Sequence, residues 1–386
     1  MNQAHATSLP LTRARRVVLK FGSALMVDAD TGTTRVSWLA SVAADVAALR
    51  AKGVPVVIVS SGAVALGRRV LGLTSAKLRL EEKQAAAAAG QARLMQAWGD
   101  AFAVHSIPVA QALLTPDDTE RRRRWLNARA TFDALLSLGA VPIVNENDTV
   151  ATEELRYGDN DRLAARVAQM VGADALVLFS DVDGLYDSDP RSDPKAVHIP
   201  VVVEITMAIE AMAGGINASA GVGSGGMRTK IDAARIATAA GCAVAIKDGI
   251  TDHPLARLLQ GEKATWFLAQ SDPETARRAW LAHALKPAGT IIVDGGAERA
   301  LKGGASLLPV GVKAVEGRFE RGDAVMIKSA SGTLLGNGLS AYDSGDAERI
   351  KGRHTDDIEA LLGYRGRPAI VHRDDLVLAD PIGTTR

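Results

Sequence analysis

Only one cysteine, Cys242, occurs in 386 residues. That scarcity excludes a disulfide framework and any multi-thiolate zinc site. Cys242 lies in the apolar run AAGCAVAIKDG with no histidine beside it, so a buried structural thiol is expected rather than a nucleophile. An excess of one charge sign is also missing: 45 Lys and Arg face 44 Asp and Glu, for a net charge of +1. This balance argues against a protein devoted to a nucleic-acid backbone or an anionic membrane. No window approaches the ~20 apolar residues of a membrane span. The N-terminal MNQAHATSLPLTRARR lacks an apolar core, so no signal peptide is expected there. The setting expected is reducing and cytoplasmic, with no membrane. With 47% hydrophobic and 23% charged residues the composition is that of a globular chain, and the length suggests two domains, at most three.

After a tail at 1–13, RRVVLKFGS reads as a short buried strand broken by Gly22. VSWLASVAADVAALRAKG then places Val36, Leu39, Val42 or Ala43, Val46 and Leu49 on one helical face, with Gly53 as its stop. The buried strand VPVVIVSSG follows. Strand, helix and strand, with no polar alternation in the strands, is the βαβ signature of a parallel sheet covered on both faces. The alternation continues through the Ala-rich helix at 81–105, the strand IPVAQALLT and the helix ERRRRWLNARATFDALLSLG. Next come VPIVNEND, GDNDRLAARVAQMVG, ADALVLFSDVDG, MRTKIDAARIATAAG and CAVAIKDG. Such strands end in small or polar residues, where open α/β sheets bind ligands. The last 100 residues hold 16 of the 37 glycines, and short β-like runs replace helices. A small β-barrel is expected there. The boundaries read as 14–262 for the α/β domain, 263–288 for a linker and 289–374 for the barrel.

Four segments carry candidate chemistry. GVGSGGMRTK (221–230) is glycine-dense and opens a helix, so its N–H groups and the helix N-terminus suit a phosphate, with Lys230 adding a mobile cation. The alternative is a flexible surface loop. The match to G-x-G-x-x-G fails its context, because no strand precedes it, and no Walker-type phosphate loop is present. Lys20 sits at a strand end beside a glycine turn. Alone it is a solvated strand end; with Lys230 it offers positive charge on both sides of a moving phosphoryl group. Asn145, Asn147, Asp148, Asp159, Asn160 and Asp161 bracket one short loop. Either cluster alone is turn punctuation; together they suit a small zwitterion, carboxylates on its ammonium and amides on its carboxylate. Asp181, at a strand end in FSDVDG, is a candidate for the nucleotide side, while the acidic stretch around it lacks calcium-loop spacing. HRDDL near the C-terminus lacks the remainder of a protein-kinase catalytic loop. Arg121 to Arg124 read as a solvated helix face.

Taken together, VVLKFGS, VVIVSSGAVALG, LNAR, VPIVNENDTVAT, GDND, GLYDSDPRSDP and GSGGMRTK resemble the amino-acid kinase superfamily, in its glutamate-phosphorylating branch. GTIIVDGGA, GASLLPVGV, RGDAVMI, NGLSAYDS and LLGYRGRPAIVHRDD resemble the PUA domain that ends many bacterial members. The resemblance implies a three-layer α/β sandwich with a mainly parallel central sheet, plus the PUA barrel. It implies that Lys20 and Lys230 hold the transferring phosphoryl group and that Asp161 orients them. Ser61, Asp148 and Asn160 fall on glutamate-binding positions, with Asn145, Asn147 and Asp159 nearby. Ser180, Asp181 and the run Ser224, Gly225, Gly226, Met227, Arg228, Thr229 and Lys230 fall on nucleotide-binding positions. The metal ligands are not indicated. After Gly22 the chain has Ser23 and Ala24 where relatives often have two hydroxyl residues, so no side-chain role attaches to that turn. ATP and Mg²⁺ are the implied cofactors and L-glutamate the implied acceptor. Also implied are feedback by proline, a homo-oligomer and hand-off of an acyl phosphate to glutamyl phosphate reductase. An aspartate or N-acetylglutamate kinase is the nearest alternative. A PUA domain also raises RNA binding, against which 289–374 carries 12 basic and 12 acidic residues.

Overall fold

The computed structural model describes residues 10–28, 31–75, 77–150, 160–214, 226–283 and 286–379. The chain divides into two compact units, Met1–Pro273 and Glu274–Arg386.

In the first unit the apolar runs become strands β1 (Val17–Phe21), β2 (Val56–Ser60), β3 (Val109–Leu114), β4 (Val141–Glu146), β5 (Ala175–Ser180), β6 (Leu185–Tyr186), β7 (His198–Ile199), β8 (Val201–Val202), β9 (Ala243–Asp248) and β10 (Thr265–Phe267). Eight of them form one sheet in the order β3-β4-β2-β1-β5-β9-β10-β8, with β6 and β7 paired apart. All its pairings are parallel except β9 with β10. The main crossover helices are α1 (Val36–Arg50), α2 (Ala63–Val70), α3 (Leu80–Ala103), α4 (Arg122–Ser137), α5 (Asn160–Val171) and α6 (Met227–Ala239).

Successive side chains along a strand point to opposite faces. Val17, Leu19 and Phe21 therefore join Val56, Ile58, Val141 and Ile143 in a core beneath α1 and α3. Val18, Val57, Val59, Val144, Leu176 and Leu178 join a second core beneath α5 and α6. The result is the expected three-layer sandwich. Both sheet faces are covered, which is why the strands read as unbroken apolar runs.

The second unit holds β11 (Gly289–Val293), β12 (Val312–Gly317), β13 (Ala324–Ser329), β14 (Leu334–Leu339) and β15 (Leu376–Leu378), in the order β12-β11-β13-β14-β15. Only β11 with β13 is parallel. The expected barrel thus appears among the described residues as a five-stranded sheet, with one isolated bridge between Leu307 and Val371. Helices do occur here, contrary to expectation: Gly295–Lys302, Ser344–Ile350 and Ile358–Leu362. Two of them start at aspartates, Asp294 and Asp343, whose carboxylates accept backbone N–H groups.

Other expectations shift in detail. Within 263–288, expected as a linker, Thr265–Phe267 forms a strand of the large sheet and Pro273–His283 a helix. Part of the expected tail is packed, since Leu11 is fully buried in the α1–α3 core. On α1 the face holds for Leu39, Val42, Ala43, Val46 and Leu49, but Val36 is 72% exposed. It opens the helix, so it has no preceding turn to bring it down onto the sheet. Cys242 is fully buried, and burial pushes its thiol pKa up, away from nucleophilic use.

Candidate active site

Strand parity decides which side chains meet. Lys20 shares the parity of Val18, so it points toward the face covered by α5 and α6. Asp161 stands in the first turn of α5 and Lys230 in the first turn of α6. The three converge there. Lys20 Nζ lies 2.5 Å from Asp161 Oδ1, and Lys230 Nζ lies 3.0 Å from Asp161 Oδ2. Thr229 Oγ1 donates to Gly226 O at 2.8 Å and lies 3.4 Å from Asp161 Oδ2. Lys20, Lys230 and Asp161 are only 6%, 4% and 0% exposed.

Burial alone would raise the Asp161 pKa. The charges of Lys20 and Lys230, with their hydrogen bonds, outweigh it and hold the carboxyl well below the usual carboxylate range. Two buried cations share one carboxylate, so the cluster carries net positive charge in a place where water is scarce. Such an arrangement needs an anion to complete it.

A second group lies at the ends of β2 and β4. Asn160, which opens α5, donates from Nδ2 to Ser61 Oγ at 2.8 Å and to Asn145 Oδ1 at 2.9 Å. Asn145 Nδ2 in turn donates to Gln91 Oε1 at 2.9 Å. Asn160 and Asp161 are adjacent in sequence, so this amide network and the lysine cluster share one helix start. Gly62, with φ of +112°, allows the sharp turn from Ser61 into α2, a conformation other residues avoid.

The remaining predicted residues are placed as follows. Asn147 and Asp148 lie half-buried in the turn after β4, where Asn147 Oδ1 accepts from Thr149 Oγ1 at 2.6 Å. Ser180 is buried at the end of β5, and Asp181 after it is exposed. Gly226 caps α6 in extended conformation. Met227 is turned into the core beneath α6, so only its backbone is available to a nucleotide. Arg228 faces away, toward Asp232 at 3.5 Å and Glu210 at 3.9 Å. Asp159, Ser224 and Gly225 lie outside the described residues.

Sequence reasoning passed over Gln91. Its signal was present: an amide directly after Gly90 in the Ala-rich stretch of α3, at a position whose neighbours Ala87 and Leu94 are buried. No group of three or more His, Cys, Asp or Glu that could hold a metal occurs among the described residues. No helix among them is long and apolar enough to cross a membrane.

A mainly parallel sheet whose C-terminal ends gather buried lysines, a carboxylate and amides defines a class that handles anionic small molecules. The sequence profile of the amino acid kinase family matches residues 15–248, and that of the PUA domain matches 289–362. The chain belongs to the amino acid kinase family. It is similar along nearly all its length to curated proteins named glutamate 5-kinase. That of Paramagnetospirillum magneticum is 59% identical over 96% of this chain and 99% of its own. That of Caulobacter vibrioides is 61% identical over 95% and 97%. That of Gluconobacter oxydans is 56% identical over 98% and 100%.

Proposed function

We propose that this chain transfers the γ-phosphoryl group of ATP to the γ-carboxylate of L-glutamate, giving L-glutamyl 5-phosphate and ADP, the first step of proline biosynthesis. The observation that carries the proposal is the buried Lys20–Asp161–Lys230 cluster beside the Ser61–Asn160–Asn145 network. The names of the full-length relatives supply the acceptor.

The chemistry suits these groups. A γ-carboxylate with a pKa of about 4.3 is ionised at neutral pH, so its oxygen attacks the γ-phosphorus with no proton to remove. The bond to the β,γ-bridging oxygen breaks, and the electron pair leaves with ADP. The barrier is repulsion between anions, which Lys20 and Lys230 reduce on either side of the moving group. Asp161 keeps the two ammonium groups in register without cancelling both charges. Asn160 and Ser61 face the amino-acid end, with Asp148 assigned to its ammonium. Gly226 and the α6 N-terminus, with Ser180 and Asp181, are assigned to the nucleotide.

Both Asp161 oxygens are engaged by lysines, so the described residues do not fit a protein-held Mg²⁺. The nucleotide is proposed to enter as MgATP, the ion held by its phosphates and water. The acyl phosphate product is labile, which favours prompt consumption by a reductase, and proline is proposed to compete at the amino-acid subsite. A cytoplasmic homo-oligomer completes the reading.

The test is an ATP-dependent assay that traps acyl phosphate with hydroxylamine, run with glutamate, aspartate and N-acetylglutamate. Hydroxamate from glutamate in clear preference supports the reading; preference for another acceptor overturns it.

A further inference from the structure

We propose that Gln91 is a positioning residue of the amino-acid subsite, acting through Asn145 on Asn160 and Ser61. The inference rests on the reading above of that subsite as the place where the acceptor binds. Gln91 is 9% exposed and projects from α3 beneath the end of β4. Its Oε1 accepts from Asn145 Nδ2 at 2.9 Å, and the relay passes through Asn145 Oδ1 to Asn160 Nδ2 and on to Ser61 Oγ. Each of these groups comes from a different element, so the relay ties α3, β4, the start of α5 and the end of β2 into one geometry.

Gln91 has a second feature at the other end of its amide. Its Nε2 is buried and has no hydrogen-bond partner among the described residues. The Gln91 acceptor fixes the rotamer of Asn145 and thereby leaves Asn160 Nδ2 directed at Ser61. The attachment is rigid. Gly90, the preceding residue, lies against the backbone of α2, where an added Cβ would stand 1.7 Å from Ala63 O.

The two features predict a split between stability and affinity. In Gln91→Met the unpaired Nε2 disappears and Asn145 Nδ2 loses its acceptor, so one unpaired buried donor replaces another. The melting temperature therefore changes little, while the KM for the acceptor rises about tenfold and the KM for ATP stays within about twofold. Gln91→Glu keeps an acceptor for Asn145 in either protonation state, so its acceptor KM stays closer to wild type than that of Gln91→Met.

Wild type is first assayed on glutamate, aspartate and N-acetylglutamate, and the variants are then measured on whichever it phosphorylates best. A wild type that prefers another acceptor overturns the glutamate reading and leaves the Gln91 test intact. Gln91→Met with unchanged acceptor KM, or with its loss of activity matched by a fall in melting temperature, overturns the positioning role. So does an acceptor KM in Gln91→Glu that is no closer to wild type than that of Gln91→Met.

Discussion

Lys20 and Lys230 are proposed to act where charge moves, so their removal should be felt in the chemical step. Lys20→Met and Lys230→Met are each expected to lower kcat by about a thousandfold or more, with the glutamate KM changed far less. Steady-state kinetics decides this, and near-normal kcat with weakened ATP binding alone would remove the lysines from the transfer step. Asp161→Asn should behave differently, because it leaves two buried ammonium groups facing each other. A loss of about 3–5 kcal/mol in stability is expected alongside lost activity. Its pH dependence has a definite sign. The folded-state pKa of Asp161 is held down to about 2 by the two lysines, against the pull of burial. The stabilisation is therefore complete above the ordinary carboxylate range and lost as pH falls toward 2. Urea unfolding at stepped pH should show wild type's advantage over Asp161→Asn shrinking between about pH 4 and pH 2. An advantage that persists at the acid end would mean the buried trio is assembled differently. At the substrate end, Asp148→Asn is expected to raise the glutamate KM about tenfold or more and to alter the proline response. Unchanged values of both would move the ammonium site elsewhere. These residues were legible in sequence because strand ends and helix starts are where α/β sheets expose polar groups. Met227 and Arg228 were less so: their orientation depends on the rotation of α6 against the sheet, which a motif does not contain.

The order of strands and helices up to β9 was readable from apolar runs and glycine stops. What it could not reveal is how elements approach one another. α2 and α3 cross with backbones in contact at Gly67 and Gly90, where an added Cβ would stand 1.7 Å from Ala86 O and from Ala63 O respectively. In sequence both glycines look like ordinary helix interruptions. Gly90→Ala should force the helices apart and cost about 1–3 kcal/mol or more. Because α2 starts just after Ser61, the glutamate KM should rise as well. Gly99 lies in the same helix with its nearest neighbour at 4.0 Å, Val109 Cγ2. There alanine only restricts the unfolded chain and improves helix propensity, so Gly99→Ala should stabilise by about 0.5–1 kcal/mol. Thermal melts of the pair test the crossing directly, and equal shifts of the same sign would show that it is not a tight contact. Long-range caps are equally silent in sequence. Asp45 on α1 accepts from Leu255 N at 3.1 Å and Ala256 N at 3.0 Å, holding the start of the helix Pro254–Leu259. No local pattern joins residues so far apart. The strand Thr265–Phe267 escaped notice for a different reason: three residues are too few to display a period.

At the scale of the molecule, every residue assigned to transfer or binding lies in the unit Met1–Pro273. The change in glycine content marked the second unit in sequence, but the limit between the two was less visible. The strand Thr265–Phe267 pairs with β9 and β8, and Trp266 and Phe267 are fully buried. A chain ended near residue 265 would expose the sheet edge of β9 and lose two aromatic core side chains, so it should aggregate regardless of what the C-terminal unit does. A chain ended after Pro273 keeps the eight-stranded sheet whole. That truncation is expected to fold, to melt cooperatively and to phosphorylate glutamate with kcat within about tenfold of the full chain, since its transfer groups are all retained. The balanced charge of the PUA region gives it no means of concentrating ATP or glutamate, so its absence should appear in assembly, metal requirement or proline response. Circular dichroism and size-exclusion chromatography come first, then kinetics at several proline concentrations. A truncation that is folded yet inactive would place part of the active site's support in the C-terminal unit, and the separation of chemistry from regulation proposed here would fail.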